Sequence, residues 1–202
     1  MSEEFDPHKH HRRSIRLKGY DYTQPGAYFV TLCTWQRECL FGDVMGGEIR
    51  LNEMGRIVLH AWQDLPRHYP YLHLGAFCVM PNHVHAIMVL VEDDPGRGGS
   101  EGSAFSMPDQ AWNDALESPE QPQTRPYTPV RHGLPELVRA FKSFSARRVN
   151  ILRQTPGVPV WQRNYYEHII RSEDEWRKIH DYILTNPARW DEDRENPAFH
   201  TQ

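Results

Sequence analysis

The chain has 202 residues, 39% hydrophobic and 25% charged, the proportions of an ordinary globular protein with room for one substantial core rather than two full domains. Its longest apolar run, residues 86–91, is far short of the roughly 20 residues a membrane helix needs. The acidic start Met1-Ser2-Glu3-Glu4-Phe5-Asp6 has no secretory pattern, and Cys33, Cys39 and Cys78 follow neither a disulfide nor a zinc spacing, so no membrane partner and a cytoplasmic location are expected. The net charge of −4 does not exclude an anionic partner. Residues 92–126 hold eight acids against two bases, which leaves +2 for the rest, and phosphate affinity follows local clusters rather than totals.

Residues 1–21 read as a basic arm. His8, Lys9, His10, His11, Arg12, Arg13, Arg16 and Lys18 lie there with no acid among residues 8–18, and Arg12 and Arg13 are candidate phosphate contacts; a solvated leader is the equal alternative. Residues 27–35, Ala-Tyr-Phe-Val-Thr-Leu-Cys-Thr-Trp, follow Gln24-Pro25-Gly26 and predict the first strand. Asn52 is a plausible N-cap for a helix to Leu65, with Met54, Ile57, Val58, Ala61, Trp62 and Leu65 at helical spacing and Pro66 as its stop. Residues 71–80 predict a second strand. Pro81-Asn82 then leads into a third, its antiparallel neighbour.

From 92 to 126, thirteen of 35 positions are Pro, Gly or Ser. Such a stretch buries too little to offset its ordering entropy, and a surface insertion is expected. A second helix opens at Leu134-Pro135, with Leu134, Leu137, Val138, Phe141, Phe144, Val149 and Leu152 as its apolar stripe and Arg139, Lys142, Arg147, Arg148 and Arg153 as its positive charge. Residues 158–162 form a short extended piece. A last helix is capped by Ser172, with Glu175 at the capping-box position, and ends at Asn186-Pro187. The order suits an α+β domain over 22–191: a small antiparallel sheet with helices packed on one face, a ferredoxin-like arrangement, followed by a tail at 192–202.

The third strand carries the chemistry. His83 and His85, two residues apart, point to one face of the sheet and can grip a single divalent cation while Val84 and Ile87 turn into a core. A His-x-His pair alone is weak, because two core or surface histidines produce the same pattern. Tyr182 on the last helix reads either as a core aromatic or as a hydroxyl placed over the metal, with Asn186 one turn later as a third ligand ahead of His180, Asp181 and Gln162. A tyrosine, with a pKa of about 10, attacks phosphorus poorly unless a cation polarises the phosphate. Tyr165 and Tyr166 are rival nucleophiles.

The motifs Phe77-Cys78-Val79-Met80-Pro81-Asn82-His83-Val84-His85, Trp161-Gln162-Arg163-Asn164-Tyr165-Tyr166-Glu167-His168-Ile169-Ile170-Arg171 and Tyr182-Ile183-Leu184-Thr185-Asn186-Pro187 resemble those of the REP-associated tyrosine transposases, in the HUH single-tyrosine group. The resemblance covers residues 22–191, apart from the insertion. It implies an HUH endonuclease fold and an enzyme that nicks and rejoins single-stranded DNA near hairpins with Mg2+ or Mn2+. It also implies His83 and His85 as metal ligands, Asn186 in the place of a polar ligand, and Tyr182 as the nucleophile of a 5′-phosphotyrosine intermediate. Trp161, Gln162, Arg163, Tyr165, Tyr166 and His168 are then candidate contacts for unpaired bases and phosphate, beside Arg139, Lys142, Arg147 and Arg148. Relatives of this kind include monomers and homodimers, and both remain open. Two other classes also fit: a hairpin-binding protein without cleavage, and a metal-dependent nuclease using activated water.

Overall fold

Period-two alternation in two strands sets the architecture. In β1 (Gly26–Cys33) Tyr28, Val30 and Leu32 are buried on one face, and in β5 (His83–Leu90) Val84, Ala86, Met88 and Leu90 join them. Phe29 and Ile87 belong to a second, smaller core on the other face, as alternating side chains require. The computed structural model describes residues 17, 19–92, 131–193 and 195–198. There β1 lies antiparallel to β5, with β4 (Leu72–Val79) outside β5 and β6 (Tyr166–Ile170) outside β1, in the order β4-β5-β1-β6. Arg12, Arg13 and nearly all of the acidic insertion lie outside the described residues.

Two helices cover the first face. In α1 (Glu53–Gln63) the Asn52 side chain accepts the Gly55 N–H at 3.0 Å, and Val58, Ala61 and Trp62 turn inward. After it, α2 (Leu65–His68) is a single turn with Pro66 near its start, so the proline begins a second turn instead of only ending the first. The long α3 (Leu134–Leu152) buries Leu134, Leu137, Val138, Phe141 and Val149. Phe144 and Leu152, expected in its stripe, are exposed at 38% and 41%.

Phe141 is the hub of this layer. Its ring centroid lies 5.9 Å from that of Trp62 and 5.7 Å from that of Trp161, and Trp62 stacks on Phe77 at 4.6 Å. Phe141→Ala is expected to cost about 3–5 kcal/mol, because the rings around it are held by separate elements and cannot collapse into the gap. Urea titration checks this: the midpoint falls while the slope stays unchanged.

The second face is covered by α4 (Glu173–Thr185). Ser172 Oγ accepts the Glu175 N–H at 3.2 Å, and Ile183 is buried with Phe29, Cys78, Met80 and Ile87. The α+β, ferredoxin-like reading with helices on one sheet face holds for α1 and α3, and α4 is laid on the opposite face beside the histidines. Ile87 packs on that same face, not in the core with Val84, because it shares the parity of His85. Two elements were not foreseen. One is β6, and the other is the hairpin of β2 (Gly42–Met45) and β3 (Glu48–Leu51), whose Gly46-Gly47 turn has φ of 61° and 79° at its two glycines. Residues 158–162 contribute an isolated bridge between Trp161 and Thr34 rather than a strand. Among the described residues no helix is long and apolar enough to cross a membrane.

Candidate metal centre and active site

His83 and His85 stand at the start of β5, paired across to Cys33 and Thr31 of β1, and both rings are buried. Asn82 sets the first ring. Its Nδ2 donates to the carbonyls of Arg37 at 3.1 Å and Glu195 at 2.6 Å, which leaves its Oδ1 facing His83 Nδ1 at 2.9 Å. An amide oxygen only accepts, so the His83 proton sits on Nδ1 and its Nε2 carries a lone pair.

His85 Nδ1 lies 2.8 Å from Thr31 Oγ1, and the two Nε2 atoms are 3.0 Å apart. A hydroxyl can donate or accept. His85 therefore either shares an Nε2 proton with His83 while accepting from Thr31, or carries its proton on Nδ1 and turns both Nε2 lone pairs toward one point. Burial pushes the His83 imidazole down to about 3, and Arg37 adds to this. Burial and then His83 push His85 down to about 3, with Asp193 opposing. Both rings are neutral at pH 7, the form that binds metals.

Two oxygen ligands converge on the pair. Asp193 Oδ2 lies 3.6 Å from His83 Nε2, and one ligand atom each of His83, His85 and Asp193 falls within 4.8 Å of the others. Asp193 Oδ2 and Asn186 Oδ1 are buried without a hydrogen-bond partner. Unpaired buried oxygens are costly unless something positive meets them. Two neutral imidazoles with such oxygens could hold a divalent cation. Asp193 was not foreseen: it belongs to the acidic run read as a tail, and it lies far from the histidines in sequence. Its neighbour Glu195 is held by Arg37 at 2.8 Å and by Cys33 Sγ at 3.2 Å, which draws this segment onto the site.

Tyr182 reaches the centre from α4. Its hydroxyl lies 3.3 Å from His85 Nε2, with its ring centroid 5.1 Å from that of His85 and 6.1 Å from that of Phe29. The side chain is neither a core aromatic nor free, being 39% exposed at the rim of a cleft of about 480 Å³. Phe29, Thr31, His85, Tyr166, Asn186 and Asp193 also line this cleft. Burial pushes the Tyr182 hydroxyl above its ordinary value, Asp193 and Glu195 add to that, and a hydrogen bond from Asn186 acts the other way.

The remaining expected contacts divide. Tyr166 is exposed and lines the cleft, and Gln162 and Arg163 line a smaller pocket with Trp35, Gln36 and Asn164. Trp161 is 7% exposed and its indole N–H donates to Ser145 Oγ at 2.9 Å, so its ring is withdrawn into the core and cannot stack on a base. Lys142 is a tether. Its ammonium donates to the carbonyls of Gln162 at 2.9 Å and Asn164 at 3.0 Å, lies 5.3 Å from the Tyr165 ring centroid, and is pushed down to about 8 by burial. His168 pairs with Glu175 and so joins β6 to α4 instead of facing the cleft. Arg139, Arg147 and Arg148 are exposed on α3, across the sheet from the histidines, and Arg148 pairs with Asp64 at 2.9 Å. His180 and Asp181 pair with each other at the surface.

No family model matches the chain. A Haemophilus influenzae protein named only as uncharacterized is 35% identical over 198 residues, 96% of this chain and 98% of that one. A second protein of the same organism, named "Putative REP-associated tyrosine transposase", is 25% identical over 169 residues, 84% of this chain and 74% of that one. Among solved structures, one described as a REP-associated tyrosine transposase bound to a REP hairpin has the same fold, with a TM-score of 0.50 and 20% identity over 86% of this chain and 73% of that one.

Proposed function

We propose that the chain, 25% identical to the "Putative REP-associated tyrosine transposase" above, is a member of the REP-associated tyrosine transposases, and that it nicks and rejoins single-stranded DNA beside hairpins through a 5′-phosphotyrosine on Tyr182. The observation that carries this reading is the Tyr182 hydroxyl 3.3 Å from His85 Nε2, brought together from positions 97 residues apart. A purely structural tyrosine has no need of a buried imidazole pair at its hydroxyl.

His83 and His85, with Asp193 or Asn186, would hold a divalent cation, Mg2+ or Mn2+, which would supply polarisation of the scissile phosphate and offset charge on the leaving oxygen. The chain's own groups do the rest. Tyr182 oxygen attacks phosphorus, the bond from phosphorus to the 3′ oxygen breaks, and the departing strand leaves as a 3′ hydroxyl while the 5′ phosphate stays on the protein. The reverse attack by a 3′ hydroxyl rejoins a strand and frees the tyrosine. Burial, and after it two carboxylates, oppose ionisation of the hydroxyl, while a hydrogen bond from Asn186 favours it. Packing of Ile183 beneath α4 holds the hydroxyl in place. Tyr166 and Arg189, exposed residues that line the cleft, are the groups we assign to meet a base and a phosphate.

The test is a denaturing gel of an end-labelled hairpin oligonucleotide incubated with protein and Mn2+. The expected product is DNA covalently bound to protein through its 5′ end, together with a free 3′-hydroxyl fragment. Free fragments at both ends overturn the phosphotyrosine step in favour of activated water. Intact DNA leaves a hairpin-binding protein.

A further inference from the structure

Beside the catalytic cleft, Trp35, Gln36, Gln162, Arg163 and Asn164 line a second pocket of about 210 Å³. We propose that it takes one unpaired nucleobase of the bound DNA strand and so determines where the strand is cut; this rests on the transposase reading above. The ring of Trp35 is 42% exposed, whereas those of Trp62 and Trp161 are buried in the core. A large aromatic face kept in solvent beside a pocket is a stacking platform. Gln36, Gln162 and Asn164 each carry both a donor and an acceptor, the groups that read a base edge. Arg163 lines the pocket and no carboxylate does, which favours a nucleic-acid strand over a basic peptide.

Both walls are preset. Gln36 and Arg37 hold left-handed φ values of 53° and 59°, a conformation non-glycine residues keep only where surrounding bonds enforce it. Here Arg37 N–H donates to the Thr34 carbonyl at 3.1 Å, Thr34 Oγ1 to the Glu38 carbonyl at 2.8 Å, and Trp35 N–H to the Val160 carbonyl at 2.8 Å. On the other side the Lys142 ammonium gathers the carbonyls of Gln162 and Asn164. A base entering this pocket therefore orders little that is not ordered already.

The pocket is also wired to the metal centre. The Arg37 carbonyl accepts from Asn82 Nδ2, whose Oδ1 orients His83, and the Thr34 N–H donates to the Asn82 carbonyl at 2.8 Å. A base held on Trp35 thus sits at a fixed offset from the histidines. That offset is what a cleavage register needs.

The test measures binding of full-length protein to a hairpin oligonucleotide with single-stranded flanks, in EDTA so that no cutting intervenes, with each flank nucleotide in turn replaced by an abasic one. One position is expected to lose roughly 10- to 100-fold in affinity, the size of one base–aromatic stack. Trp35→Ala should lose a similar factor and become indifferent to the abasic change at that position alone, whereas Trp35→Phe retains the sensitivity. Asn164→Ala should change which base is preferred there. Thermal melting of each variant verifies the fold, which an exposed ring scarcely affects. If Trp35→Ala shows the wild-type abasic profile, the pocket assignment is overturned while the transposase reading stands. Failure of the wild-type protein to bind hairpin DNA at all removes both.

Discussion

Tyr182→Phe is expected to abolish the covalent protein–DNA adduct on a denaturing gel and to leave hairpin binding intact. The exchange removes a single oxygen, so the ring remains against His85 and Phe29 while the only atom able to form the ester is gone. A rate loss on the order of 10³-fold or more is expected, as for other deleted nucleophiles. Stability should change by no more than about 1 kcal/mol, since the lost hydrogen bond is long and half-exposed. Tyr166→Phe is the control, because Tyr166 lines the same cleft with its ring centroid 6.0 Å from that of Phe29. Survival of the adduct in Tyr182→Phe together with its loss in Tyr166→Phe moves the nucleophile to β6.

His83→Ala and His85→Ala are each expected to remove Mn2+ binding and, with it, all DNA cleavage. Each imidazole is fixed by its own partner, Asn82 or Thr31, and alanine supplies no ligand atom in its place. In the wild-type protein, Mn2+ at about 100 times its dissociation constant should add about 2.7 kcal/mol of stability. For a chain of this size that raises the melting temperature by roughly 5–10 °C. Neither variant should show the rise, and a wild-type rise in both removes the histidines from the metal centre. Asp193→Asn and Asn186→Ala separate the two oxygen candidates. The true third ligand is the one whose loss weakens Mn2+ by about 10-fold or more in calorimetry.

Much of this arrangement is written in local patterns. The β-rich run of β1 after its turn, the Asn52 and Ser172 caps and the apolar stripe of α1 are properties of short windows, and each appears where those windows place it. The histidine pair is legible for the same reason, since two residues of one strand must share a face. What short windows miss is partnership. In β6, Tyr-Glu-His-Ile-Ile lacks a clean alternation because Glu167 is buried and Tyr166 is exposed, and the segment becomes a strand only by pairing with β1. Trp161 looks like a stacking ring until Phe41 and Phe141 surround it. Asp193 sits in a run of acids that resembles any solvated tail, and only the contacts of its neighbour Glu195 with Asn82 and Arg37 draw it to the histidines. Lys142 was legible as a charge but not as a strut, because its partners come from another segment, whereas His168 reads equally as a phosphate contact or a structural hydrogen bond, and its pairing with Glu175 is the second of these.

That Tyr182 meets His85 of its own polypeptide has a kinetic meaning. On the mechanism proposed above, every reacting group on the protein side is then carried by one molecule, and strand cleavage is expected to be unimolecular in enzyme once DNA is bound. Turnover per molecule should stay level as a stock is diluted, and mixing Tyr182→Phe with His85→Ala protein should restore no cutting, which a tyrosine donated by a partner subunit would restore.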